Sequence, residues 1–517
     1  MIAAELIRRG AVYYPDKIAV IYEGDSRTFK EVNQNSNRLA NALHKLGLKK
    51  GDRVAFLLAN SVQSVEIDFA MIKSGLVRVP LNTRLSEQEL IHMINETDAK
   101  ALLFTEEFAE KVATLRPQTP DLEWYCQVNG VSTYDWTIPV SKEMELVSDE
   151  EPEVELKEDD PVTLQYTSGT TGKLKAAIHT QRSWAAIAAN ILSTLTIKEG
   201  DMMMHAAPLT HASGTLILPH WVSGASNAIL PGFEPKSFLE AVEQLKPTTL
   251  NLVPTMVVML LSYPDVGKYS FNSVRSIIYG ASPMPREALK RGLELWGPKF
   301  IQYFGQTEAP LILTVMGIDD HVEALENPQQ YNRLLSCGRP TVTTELKIVN
   351  EEGQEMKAGE IGEIIISSSQ AMAGYWKEEQ LTKETMKGKW VYTRDMGYID
   401  EDGYMYLVDR KSDMIISGGY NIYPREVEEV LYQHPAVREA AVVGVPDEKW
   451  VETVKAFIVL KEGMTATSAE LILHCQQHLA SYKKPKYVVF IDSLPKSAVG
   501  KIVRRKLRRE DNQASPK

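Results

Sequence analysis

A chain of 517 residues that is 44% hydrophobic and 24% charged has the composition of a globular protein and room for more than one domain. A net charge of −11 argues against non-specific nucleic-acid binding as its main task. The three cysteines, Cys126, Cys337 and Cys475, show no metal or redox spacing, which points to a reducing compartment without a disulfide framework.

Taken in chain order, residues 1–9 lack a signal-peptide layout, because charges interrupt the apolar run early. Residues 17–22 predict a strand, 29–46 a helix ending near Gly47, and 51–58 a turn and strand followed by a helix to Gly75. Residues 100–104 predict another buried strand. This alternation argues for α/β architecture with largely parallel strands. The acidic run 148–160 reads as a solvated connector, to which the sequence attaches no function. Residues 202–233 carry no Lys, Arg, Asp or Glu, but proline, glycine and histidine interrupt them, so a buried helix and strand lining a pocket is expected rather than a membrane span. Residues 249–254 predict a strand preceding a helix rich in Val, Met and Leu, and strands running into glycine turns follow at 276–283 and 299–305. Beyond Gly338 short strands separated by glycine turns predict a small antiparallel subdomain. From about Lys411 a last unit of helices and strands begins.

The chain is organised around Tyr166-Thr167-Ser168-Gly169-Thr170-Thr171-Gly172-Lys173-Leu174-Lys175. A predicted strand precedes it and a helix is predicted from Ser183. A turn rich in glycine and hydroxyls between strand and helix is a natural phosphate cradle: glycine lets backbone N–H groups approach the anion, and lysine supplies charge. Gly169 and Gly172 are too close for a Walker A loop. Further motifs follow in order: Pro208-Leu209-Thr210-His211, Tyr279-Gly280-Ala281-Ser282-Pro283, Tyr303-Phe304-Gly305-Gln306-Thr307-Glu308, Tyr392-Thr393-Arg394-Asp395, Val408-Asp409-Arg410-Lys411-Ser412-Asp413 and Leu494-Pro495-Lys496-Ser497-Ala498-Val499-Gly500-Lys501.

This ordered set, spanning essentially the whole chain, resembles the adenylate-forming superfamily of acyl- and aryl-CoA synthetases, peptide-synthetase adenylation domains and firefly-type luciferases. Within it the chain looks most like a stand-alone fatty-acyl- or aryl-CoA ligase. The resemblance implies a large N-terminal domain, residues 1–410, with two mixed α/β sheets and a small β-barrel. It implies a small mobile α+β domain, residues 411–517, carrying the catalytic lysine. It implies ATP, Mg²⁺ and coenzyme A. Thr167, Ser168, Gly169, Thr170, Thr171, Gly172, Lys175 and Thr307 would hold the ATP phosphates, and Glu308 the metal. Gly280, Ala281, Ser282, Tyr303, Phe304 and Gly305 would surround the adenine, with Phe304 stacking on it. Asp395 and Arg410 would bind the ribose. Lys501 would bridge substrate carboxylate and α-phosphate, and His211 would gate the acid pocket. Rotation about a hinge at Ser412 would withdraw Lys501 and bring up Gly418 and Gly419 beside a pantetheine tunnel. Lys484 and Lys486 would meet coenzyme A phosphates, and Trp450 and Tyr482 its adenine.

The chain departs from the family pattern in places. Leu174 and Ala176 replace the usual Pro and Gly of the cradle. Phe304 replaces a Tyr, Arg394 a Gly, and Ser412 the usual Asp or Lys of the hinge. The small residues Ala212, Ser213 and Gly214 after His211 are expected to leave room for a chain or ring. A medium- or long-chain fatty acid is the first expectation, and an aryl or alicyclic acid the alternative. Transfer to a carrier protein, or a catalytically silent nucleotide-binding scaffold, stays open beside them. A cytoplasmic enzyme of small molecules is expected, without nucleic acid or integral membrane association, and with a homodimer left open.

Overall fold

The computed structural model describes residues 1–132, 134–168, 174–417, 420–447, 450–496 and 502–508. Among them the chain builds four sheets. The expected alternation produces two large ones. In the first, Ile18–Tyr22, Ser226–Ile229, Met202–His205, Thr249–Leu252, Ser276–Gly280 and Phe300–Gln306 lie parallel, with antiparallel strands at both edges. In the second, parallel strands including Arg53–Leu57, Val77–Pro80 and Ala99–Phe104 lead to Pro161–Ser168, which turns back antiparallel onto Leu174–Thr180.

Helices Ala3–Tyr13, Phe29–Lys45, Val62–Ser74 and Gln181–Thr194 fill the space between these sheets, because their apolar faces meet residues of both, Val20 and Ile229 from one and Val162 from the other. Trp221 is fully buried at the centre of this layer. Its ring lies 4.3 Å from Phe29 and 4.8 Å from Phe69, and its Nε1 donates to the Ile7 carbonyl. Gly10 makes the fit, since a Cβ there would lie 2.2 Å from the indole.

The third sheet is antiparallel and five-stranded. It includes Thr344–Val349, Gly362–Ser368, Trp390–Ile399 and Met405–Arg410. The fourth holds Ile415–Ser417, Tyr420–Ile422, Val437–Asp447, Val451–Leu460 and Tyr487–Phe490, covered by helices Pro424–Tyr432 and Ser468–His478.

Of two further expectations, one holds and one needs correction. Residues 202–233 do form strands and short helices, and among the described residues no helix is long and apolar enough to cross a membrane. The acidic run 148–160, however, is no bare connector. Asp149 binds Arg38 at 2.9 Å, and Glu151 binds Arg8 at 3.0 Å and reaches the fully buried Lys73 ammonium at 3.5 Å. Burial lowers the Lys73 pKa to about 8, and Asn33 and Asn37 accept from it. A buried ammonium needs such partners, and the acidic run supplies its counter-charge.

Candidate active site

The cradle has a different frame from the one expected. Strands Pro161–Ser168 and Leu174–Thr180 pair antiparallel, with Thr167 opposite Lys175. The helix begins only at Gln181, where Thr180 and Ser183 form a capping box. The described strands on either side of it therefore form an antiparallel hairpin, and the helix follows the second strand rather than the cradle. Gly169, Thr170, Thr171 and Gly172 lie outside the described residues, as do Gly418, Gly419 and Lys501.

On the hairpin's second strand Lys175 meets two partners. Its Nζ donates to the Tyr375 hydroxyl at 2.6 Å and lies 3.4 Å from Glu308 Oε1. The Tyr375 hydroxyl in turn donates to Glu308 Oε1 at 2.6 Å. Three segments of chain make this triangle. Lys175 comes from the hairpin, Glu308 from the turn between Phe300–Gln306 and Ala309–Met316, and Tyr375 from the two-residue strand Gly374–Tyr375 laid along Leu174–Thr180. Burial lowers the Lys175 pKa, while the Glu308 carboxylate opposes that shift. Burial, reinforced by Glu308, holds the Tyr375 phenol well above the ordinary tyrosine range, so it stays a donor.

The turn itself is anchored from both sides. His179 Nε2 donates to the Thr307 carbonyl at 2.7 Å, and the Glu308 carbonyl accepts from the Met372 N–H. Burial lowers His179 to about 4, which keeps the ring neutral. Glu308 is a hard carboxylate donor, and among the described residues no third ligating side chain joins it. That suits Mg²⁺, which takes one or two carboxylates and completes its shell with phosphate oxygens and water.

Asp395 and Arg410 are cross-strand partners, with Arg410 Nε 3.6 Å from the buried Asp395 carboxylate. Beside them a cavity of about 360 Å³ is lined by Arg394, Lys411 and Ser412, among others. Gly280 pairs with Tyr303 at the strand ends, where a Cβ on Gly280 would lie 2.5 Å from the Tyr303 carbonyl. Phe304 is enclosed in a core cluster with Leu313, Ile364 and Met405, so its ring is buried rather than presented as an open face for stacking. Ala281 is left-handed, at φ 68°; Ser282 follows it and is half-buried.

His211 Nε2 accepts from the Asn82 amide at 2.8 Å. The residues after it do not open space as expected. Ser213 is buried and bonded to His205 Nδ1 at 2.9 Å, and a Cβ on Gly214 would lie 2.1 Å from the Leu209 carbonyl. Their small size serves close packing of this turn.

In the last unit Asp447 accepts from the Trp450 N–H at 3.0 Å and from Lys486 Nζ at 2.6 Å, which brings these two candidates together. Tyr482 stacks on Tyr420 at 4.6 Å, and Lys484 donates to Gln476. Ser412 offers its carbonyl to Arg508. Sequence reasoning missed Tyr375, His179 and the ion cluster of Arg504. The motif spacing carries no signal for them, because each acts through partners distant in the chain.

Residues 7–376 match the profile of the AMP-binding enzymes, and residues 426–501 match that of the AMP-binding enzyme C-terminal domain. The chain is 35% identical over 506 residues to a feruloyl-CoA synthase of an Amycolatopsis species, with 97% of each chain covered. It is 32% identical over 539 residues to a long-chain-fatty-acid–CoA ligase of Bacillus subtilis, covering 98% of this chain and 94% of that one. Among solved structures it matches an anthranilate CoA ligase in complex with anthranoyl-AMP at TM-score 0.90 and 30% identity, over 99% and 97% of the two chains.

Proposed function

The chain belongs to the AMP-binding enzymes and is an AMP-forming acid–thiol ligase working with ATP, Mg²⁺ and coenzyme A; on that premise we propose that it activates a hydrophobic carboxylic acid and transfers it to coenzyme A. The observation that carries this reading is the convergence of Lys175 and Glu308 at the foot of the Tyr166–Lys175 hairpin. It sets a cation for phosphate beside a carboxylate for a metal, which suits the joining of two anions. A fatty acid of medium or long chain is the first reading. An aryl acid is the second, favoured by the feruloyl-CoA synthase and anthranilate CoA ligase relatives.

In the first half-reaction a carboxylate oxygen of the acid bonds to the α-phosphorus of ATP. The bond from that phosphorus to the bridging oxygen breaks, and pyrophosphate leaves. Thr167, Ser168, Gly169, Thr170, Thr171, Gly172, Lys175 and Thr307 hold the departing phosphates. Glu308 would hold Mg²⁺, which would supply charge neutralisation there. Gly280, Ala281, Ser282, Tyr303, Phe304 and Gly305 border the adenine, and Asp395 and Arg410 hold the ribose. Lys501 orients the two anions, and His211 borders the acid. In the second half-reaction the thiol gives up its proton to solvent and its sulfur bonds to the acyl carbon, while the bond from that carbon to the phosphate oxygen breaks and AMP leaves with that oxygen. Gly418 and Gly419 then flank the thiol arm, and Trp450, Tyr482, Lys484 and Lys486 receive the nucleotide end of coenzyme A.

The division into residues 1–410 and 411–517, with rotation about Ser412, belongs to the same proposal. The start of a separate sheet at Ile415 supports it. Cytoplasmic residence is supported by three free, buried cysteines.

A panel of fatty, aryl and alicyclic acids, each with ATP, Mg²⁺ and coenzyme A, tests the reading by AMP release and thioester formation. Thioester with one acid class, without any carrier protein, is expected. AMP release that requires a carrier protein would replace coenzyme A as the acceptor. Absence of ATP–pyrophosphate exchange with every acid would overturn the reading in favour of a silent nucleotide-binding protein.

A further inference from the structure

Tyr375 lies 200 residues from Lys175 in the chain and 67 from Glu308, yet its one hydroxyl bonds both. All three groups are largely withdrawn from water; Tyr375 is 5% exposed and Glu308 8%. A buried carboxylate beside a buried ammonium would, left to themselves, close into a direct ion pair. Here the tightest contacts run through the phenol, at 2.6 Å each, and the direct ammonium–carboxylate ion pair is the looser one, at 3.4 Å. The phenol accepts from the ammonium and donates to the carboxylate, so it occupies one lone pair of Glu308 Oε1 and leaves the other oxygen, Oε2, for another partner. Its own position is fixed independently. Gly374 and Tyr375 pair in register with Ile178 and Ala177, the Trp376 N–H donates to the Ala176 carbonyl, and Thr382 Oγ1 accepts from the Tyr375 N–H.

We infer that Tyr375 is a positioning residue for the β- and γ-phosphate end of ATP, fixing the Glu308 carboxylate and the Lys175 ammonium side by side and aimed at the metal–triphosphate. The inference rests on the proposed ligase reading. It concerns only the part of the nucleotide beyond the α-phosphate. Tyr375 therefore matters for ATP and not for AMP, and for adenylation and not for the thiol step.

The test is equilibrium binding, measured by calorimetry with Mg²⁺, of a non-transferable ATP analogue with a methylene bridge between its α- and β-phosphorus, and separately of AMP. Tyr375→Phe keeps the ring and removes only the hydroxyl. The variant is expected to weaken analogue binding about tenfold, the scale of one hydrogen bond to a charged group, with AMP binding unchanged. The Mg²⁺ concentration for half-maximal ATP–pyrophosphate exchange is expected to rise, and thioester formation from supplied acyl-AMP to stay at the wild-type rate. In a Glu308→Gln background, adding Tyr375→Phe should weaken analogue binding by much less than tenfold, because the carboxylate it orients is gone. Equal loss of analogue and AMP binding would assign Tyr375 a merely structural role and overturn the inference. So would unchanged binding of both. Failure of the wild-type protein to bind either nucleotide would instead overturn the ligase reading.

Discussion

Arg394 shows how much one residue of a motif can mean. The related pattern has glycine between Thr393 and Asp395, and the reason is visible in the backbone: Arg394 sits at φ 62°, in the left-handed region. A side chain there costs about 1 kcal/mol or more relative to glycine. The conformation is held by the Arg394 N–H donating to Glu363 Oε1 at 3.0 Å, which leads the chain into the Asp395 position. Arg394→Gly should therefore stabilise the protein by about 1 kcal/mol, read as a higher midpoint in urea unfolding. A lower midpoint would show that the arginine side chain contributes more than its backbone strain removes. The motif residues Lys175, Glu308, Asp395 and Arg410 were legible as a set because their types match the chemistry and their order is rare. Tyr375 was not, since a lone tyrosine after a glycine is unremarkable until two strands pair.

The turn that carries Gln306, Thr307 and Glu308 is built at the limit of backbone approach. A Cβ on Gly305 would lie 1.9 Å from the Leu311 carbonyl, and Leu311 itself takes φ 56° to return the chain. Backbone cannot yield there as a flexible side chain would. Gly305→Ala is expected to cost more than about 2 kcal/mol and to abolish ATP–pyrophosphate exchange by shifting Glu308. Wild-type stability together with wild-type exchange would refute it. The same kind of contact corrected the reading of Gly214, whose small size packs a turn. The strands themselves followed from pattern: residues 100–104 and 276–280 are apolar runs long enough to be buried on both faces. The hairpin did not follow, because the run 174–180 is short and Lys175, His179 and Thr180 mask its alternation.

Across the whole molecule, Arg504 ties the final segment to the approach to Ser412. Its guanidinium binds Glu428 Oε2 at 2.8 Å, Asp413 Oδ2 at 3.3 Å and Asp409 Oδ1 at 3.4 Å. Asp409 lies in a strand of the third sheet and Glu428 on a helix over the fourth, so one cation joins both units. Arg504→Ala would leave three carboxylates facing one another, at a cost of about 3 kcal/mol. A separate early transition of the fourth sheet and its helices, followed by hydrogen exchange, is the expected readout. Exchange protection unchanged in Val437–Asp447 would count against it.

Sequence alone was enough for the class of fold and the family. Period, composition and motif order are local properties, and they survive without knowledge of contacts. Which groups meet was settled by pairing over long distances: the hairpin frame of the cradle, the Tyr375 bridge, the counter-charge that the acidic run gives Lys73, and the packing role of Ser213 and Gly214. These depend on strand register and side-chain approach, and such contacts join residues whose separation along the chain carries no periodic trace.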